Sequence, residues 1–176
     1  MNIQHVDFPP HADCDTRDLS EITLAIVHHS DTPADTTVLQ IDQMHRARNF
    51  VMFGYSFAVG RDGSVTEGRK LTWVPAAAQG ENRNSVDIVL IGQYEPAAAG
   101  YNGPPPAAQI DALVDILVWV HQQIPTIDRT ITHQKAGEET PPPDGPYKDQ
   151  CPGKDVIGIM PWVLARVTAL LAADKQ

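Results

Sequence analysis

The chain has 176 residues, 42% hydrophobic and 20% charged, which suits a single globular domain that buries a core without disulfide staples. Its formal net charge of -9 argues against nucleic acid and anionic membranes as electrostatic partners. Two cysteines, Cys14 and Cys151, are too few for a disulfide framework; no basic-then-apolar leader is visible, and no apolar run approaches membrane-spanning length.

In chain order, residues 1–21 are polar and acidic, with Pro9-Pro10, and read as an extended lead-in with little regular structure. Leu24-Ala25-Ile26-Val27 runs straight into His28-His29, a short apolar run that predicts a buried strand over about 23–29. Ser30-Asp31-Thr32-Pro33 is turn chemistry, after which Asp35 or Thr36 can cap a helix over roughly 37–48. Gly54–Gly60 alternates like a strand, Arg61-Asp62-Gly63-Ser64 is a hairpin turn, and Val65–Arg69 returns as its partner. A loop at 72–85 leads to a second apolar strand, Val86–Gly92, which Asp87 interrupts in the manner of an edge position. A Pro/Gly/Ala-rich loop at 94–106 precedes a helix over 107–123 with one broad apolar face. Tyr94 and Tyr101 flank that loop and are expected to contribute little. Thr130-Ile131-Thr132-His133 reads as a short strand ending in histidine, and a final helix is expected over about 156–172. The 17 residues between His133 and Cys151 hold Pro141-Pro142-Pro143 and read as a long functional loop.

Three candidate zinc ligands lie at or beside strand ends: one of His28 and His29, then His133 and Cys151. Neighbouring strand residues face opposite ways, so only one of the paired histidines can enter a shared site. Zinc takes imidazole nitrogen and thiolate sulfur, and a catalytic site keeps its fourth position open. His45 and His121 read instead as helix-face residues, and Cys151 has the alternative of a packed small apolar residue.

Ile26-Val27-His28-His29-Ser30, Gly54-Tyr55-Ser56-Phe57, Gly60-Arg61-Asp62-Gly63, Glu67-Gly68-Arg69 and Cys151-Pro152-Gly153 occur in a fixed order. The sequence resembles the type 2 N-acetylmuramoyl-L-alanine amidases, which share their fold with peptidoglycan recognition proteins and small phage amidases. The resemblance covers roughly 22–172 and implies a single α/β (α+β) zinc amidase domain over 22–176, with a central mixed β-sheet flanked by helices. It assigns His28, His133 and Cys151 to Zn2+. It implies Tyr55 as the tyrosine near the metal, Asn82 and Ser85 as groove-lining residues, and His29 as a further substrate contact. The implied substrate is peptidoglycan, cut at the amide between the N-acetylmuramic acid lactyl group and L-alanine.

The loop before Cys151 is longer than in relatives, and Asp149, with Lys148 beside it, stands where relatives often carry lysine or threonine. Either residue is a candidate helper: Lys148 by its charge, Asp149 by moving a proton to the leaving amine. The strand at 86–92 lacks the glutamate of the cytoplasmic recycling members. The absence of a visible leader suits a phage or prophage endolysin released by a holin, and also a cytoplasmic recycling amidase or an effector delivered by a secretion machine. The missing glutamate weighs against recycling, and the expectation is a monomeric, endolysin-type enzyme made in the cytoplasm and acting on the wall after release through a holin or a secretion system. It has no nucleic-acid or membrane partner. Two rivals stand beside it: a recognition module that binds peptidoglycan without cutting it, and a Cys-His peptidase with Cys151 as nucleophile.

Overall fold

The computed structural model describes residues 2–10, 12–140 and 150–174. Its strands are Ile3–His5 (β1), Leu24–His29 (β2), Phe57–Val59 (β3), Val65–Glu67 (β4), Ser85–Leu90 (β5) and Arg129–Thr132 (β6). They form one mixed sheet in the order β1-β4-β3-β5-β2-β6. Only β3 and β4 pair antiparallel; the other pairings among the described strands are parallel. The helices are Val38–Ala47 (α1), Ala107–Gln123 (α2), His133–Glu139 (α3) and Lys154–Ala173 (α4). The mixed sheet flanked by helices agrees with the sequence reading.

β2 and β5 lie side by side at the centre and are buried along their whole lengths. Helices cover both faces of such strands, which is why they read as near-continuous apolar runs. α1 begins at Thr37, whose hydroxyl accepts the Gln40 N–H at 3.3 Å while Gln40 Oε1 accepts the Thr37 N–H at 2.8 Å. This reciprocal capping satisfies two otherwise orphaned donors. Between β3 and β4, Gly63 takes a φ of 85°, the left-handed region that the turn needs.

The two faces of the sheet are built differently. On one, Leu113, Ile116, Leu117 and Val120 of α2 join Val156, Met160, Val163 and Val167 of α4 in packing on Val27, Val86, Ile88 and Leu90. α4 is long and apolar enough to cross a membrane by length and composition, contrary to the sequence expectation. Its inner stripe, Val156, Met160, Val163 and Val167, packs on α2 and the sheet. On the other face the apolar residues fall into two smaller clusters, one around Phe8, Ile41 and Phe53, the other around Leu24, Ile26 and Ala136.

Three expectations change. The lead-in contributes β1, a parallel edge strand on β4, and Thr16 bridges Trp73. β5 is a central strand, not an edge, and Asp87 is fully buried within it. The stretch after His133 opens with α3 before residues 141–149, which lie outside the described residues.

Candidate metal centre

β2 ends on His28 and His29, and the strand's alternation separates them. His28 shares its face with Leu24 and Ile26, toward α3. His29 shares its face with Ala25 and Val27, toward α2 and α4. His133 is the first residue of α3, whose N-cap Thr132 accepts the Lys135 N–H at 3.2 Å. Its ring centroid lies 4.6 Å from that of His28. Cys151 sits in the turn before α4, where its Sγ accepts the His29 N–H at 3.4 Å. Its carbonyl accepts the Gln134 N–H at 2.8 Å. Gly153 follows with a φ of 88°, and a Cβ there would lie 2.4 Å from the backbone carbonyl carbon of Tyr94. Only glycine lets the chain turn this tightly between Cys151 and the helix.

His28, His133 and Cys151 are all buried, and their donor atoms lie within 4.8 Å of one another. His28 Nδ1 is 3.9 Å from Cys151 Sγ. The other ring nitrogen, Nε2, is 2.7 Å from Asp87 Oδ1. In the tautomer with the ring hydrogen on Nε2, Asp87 accepts it and Nδ1 keeps its lone pair on the side of Cys151. Burial, and next the proximity of His28, pushes the His133 pKa down to about 3 and favours the neutral imidazole. Two imidazole nitrogens and one thiol form the donor set that zinc prefers, and the residues fit such an ion.

These residues open onto a cavity of about 250 Å³ that Tyr55, His45 and Arg48 also line. The Tyr55 ring lies 5.2 Å from that of His28. His45 is not a mere helix-face residue: it is buried, and its Nδ1 accepts the Gly54 N–H at 2.9 Å. Burial, and then the Arg48 charge, holds its pKa at about 4.

Other expected contacts differ. His29 borders the cavity, but its ring turns to the far face, where Nδ1 accepts the Tyr94 N–H at 3.3 Å. Asn82 Oδ1 accepts the N–H groups of Ala77 and Ala78 at 2.9 and 2.8 Å, so its side chain shapes the loop behind the cavity. Ser85 does not line a groove. It is fully buried, and its hydroxyl donates to Asp87 Oδ2 at 2.6 Å. Lys148 and Asp149 lie outside the described residues. Asp87 is the residue that the sequence reading missed, and the only signal for it was an acid in an otherwise apolar run.

The sequence profile of N-acetylmuramoyl-L-alanine amidases matches residues 18–154. The chain belongs to this family. It is 35% identical over 104 residues to the endolysin of Klebsiella phage KP32, covering 56% of this chain and 66% of that one. The match thus spans just under two thirds of that relative's length. Among solved structures, the endolysin amidase LysCS from Clostridium intestinale superposes with a TM-score of 0.72 at 19% identity, covering 88% of each chain. The ectodomain complex of peptidoglycan recognition proteins LCa and LCx with tracheal cytotoxin gives a TM-score of 0.71 at 22% identity, covering 88% of this chain and 92% of that one. At such identities the two structures share the fold.

Proposed function

We propose that the protein is a zinc-dependent peptidoglycan hydrolase that cleaves the amide between N-acetylmuramic acid and L-alanine of the stem peptide. The role is that of an endolysin acting on the cell wall after release. One observation carries this reading. His28, His133 and Cys151 converge within 4.8 Å in a member of the amidase family. The neighbouring Tyr55 supports it.

His28, His133 and Cys151 would hold the zinc, with the nitrogen and sulfur donors they aim at one point. When bound, zinc supplies Lewis acidity, activating water as a nucleophile at neutral pH and polarising a carbonyl. Tyr55 donates a hydrogen bond to the amide oxygen as it gains negative charge in the transition state. His133, neutral down to about pH 3, keeps its lone pair for ligation across the working range. Lys148 and Asp149 remain the candidates for the charge or proton transfer that the departing amine needs.

The Cys-His peptidase has one observation in its favour: Cys151 Sγ, His28 and Asp87 line up as a nucleophile, base and orienting acid. His133 has no task in that triad, yet it sits within the same cluster. Hydrolysis of a defined muropeptide after chelation decides between them. The amidase loses activity to a chelator and regains it with added zinc; a thiol peptidase is indifferent to both. Unchanged activity in metal-stripped protein sinks the proposed function.

A further inference from the structure

Asp87 is an ionisable side chain with no exposed surface, placed in the middle strand of the sheet among Val86, Ile88, Val89 and Leu90. Such a carboxylate is costly to bury unless both oxygens find donors. Here they do. Oδ1 has His28 Nε2 at 2.7 Å, a donor in the Nε2–H tautomer, and Oδ2 accepts from the Ser85 hydroxyl at 2.6 Å. The register places Asp87 beside Ile26, two pairs below His28 and Val89 and on the same face as His28. It therefore stands behind the His28 ring, and among the described residues it is not part of the cavity wall. It does not border the cavity, and its direct contact with the donor cluster is through His28.

The strand that carries this carboxylate is itself tied down. Arg17 is buried, and its Nη1 donates to the carbonyl oxygens of Ser85, Asn82 and Arg83 at 2.6, 2.9 and 2.9 Å. Its Nε donates to the Leu71 carbonyl at 3.0 Å. The start of β5 is thus clamped from the lead-in, Ser85 with it, and Asp87 follows two residues on.

We infer that Asp87, held by Ser85, is the positioning residue of the metal centre: it fixes His28 in the Nε2–H tautomer and strengthens Nδ1 as a ligand for a divalent cation. This rests on the zinc reading of the cluster. A carboxylate behind a ligating imidazole sets the ring's rotation and raises its basicity. It also supplies charge. One thiolate and two neutral imidazoles leave a dication with one uncompensated positive charge, which the buried carboxylate balances across the ring.

The test uses the full chain. Zinc dissociation constants are measured by chelator competition for wild type, Asp87→Asn and Ser85→Ala, and the His28 tautomer of the metal-free wild type is read from long-range 1H–15N spectra. The expected results are an Nε2–H tautomer in wild type, about a 10–100-fold weaker zinc affinity in Asp87→Asn, and a smaller loss in Ser85→Ala. A purely structural Asp87 would lower the melting temperature of the metal-free variant and leave the zinc affinity of the folded protein alone. That result, or an Nδ1–H tautomer in wild type, overturns the inference. If Asp87→Asn does not fold, the tautomer and Ser85→Ala decide, with unchanged affinity in Ser85→Ala counting against it. A wild type that takes up no zinc overturns the metal centre instead, which is a separate outcome.

Discussion

The two faces of the central sheet do different work. On the α2/α4 face one continuous apolar cluster covers the strands. On the α1/α3 face the apolar residues split into two clusters, and the gap between them holds His28, Asp87, His133 and Cys151. The same strands serve both faces: Val27 and Ile88 point one way, Ile26, His28 and Asp87 the other. The site face gives up apolar packing for polar geometry, and the opposite face supplies the stability that this requires.

The sharpest way to break this division is Cys151→Ser. Hydrolysis of a muropeptide should vanish while circular dichroism shows a folded domain, because serine's hydroxyl is a far poorer zinc ligand at neutral pH than a thiolate. An active serine variant removes Cys151 from the centre. Tyr55→Phe keeps the ring beside His28 and loses only the donor. Turnover should fall by about 10²–10³, with kcat and kcat/KM falling together and zinc content unchanged. Equal activity would transfer the helper role to Lys148 or Asp149.

A cut on the other face should reverse the pattern. Leu117→Ala, at a fully buried position, should cost about 2–5 kcal/mol of stability in urea unfolding. Its zinc stoichiometry and turnover per folded molecule should match wild type. Loss of zinc without loss of stability would show that the faces are not separable.

Mild acid probes the site face more gently. The His45 pKa falls from 6.5 to about 4 on folding. Between those values the unfolded chain binds more protons, so this contribution to stability is complete above pH 6.5 and is lost as pH falls toward 4. Melting temperatures should decline over that window, and His45→Phe should flatten the decline. Smallest of all should be Cys14→Ser. Cys14 is half-buried, with its thiol 3.8 Å from Met52 Sδ, outside the cluster. Hydrolysis rates within experimental scatter of wild type are expected, and a dead Cys14 variant would contradict the choice of Cys151 as ligand.

The apolar face was the more legible of the two. The strands around Val27 and Ile88, the helix at 107–123 and the last helix carry periodic or continuous apolar patterns, and each stands where expected. β1 escaped because three residues with two exposed carry little pattern. α3 escaped because its seven residues include Gly137 and no apolar stripe. On the site face, ordered motifs pointed to the three donors, but their supports were hidden. Asp87 takes its meaning from His28, 59 residues away. Ser85 looked like a groove residue until its hydroxyl was seen turned inward. Tyr94 looked like a loop flank, yet it is fully buried with its hydroxyl 2.6 Å from the Ile91 carbonyl. Partners this distant leave no local trace in a sequence.

His28 and Cys151 are 123 positions apart: His28 ends a central strand, while Cys151 comes from the turn before α4, tied to α3 by the Gln134 N–H. Parallel neighbours need long crossovers, so this centre of the sheet is built from contacts distant in the sequence. The donor cluster does not exist in any shorter stretch of the chain. A cation bound there therefore recognises the native protein and not its unfolded ensemble. On the zinc reading, mass action predicts that free zinc at a hundred times its dissociation constant would add about 2.7 kcal/mol to the native state. The melting temperature of this amidase-family domain would then be a gauge of the metal concentration around it.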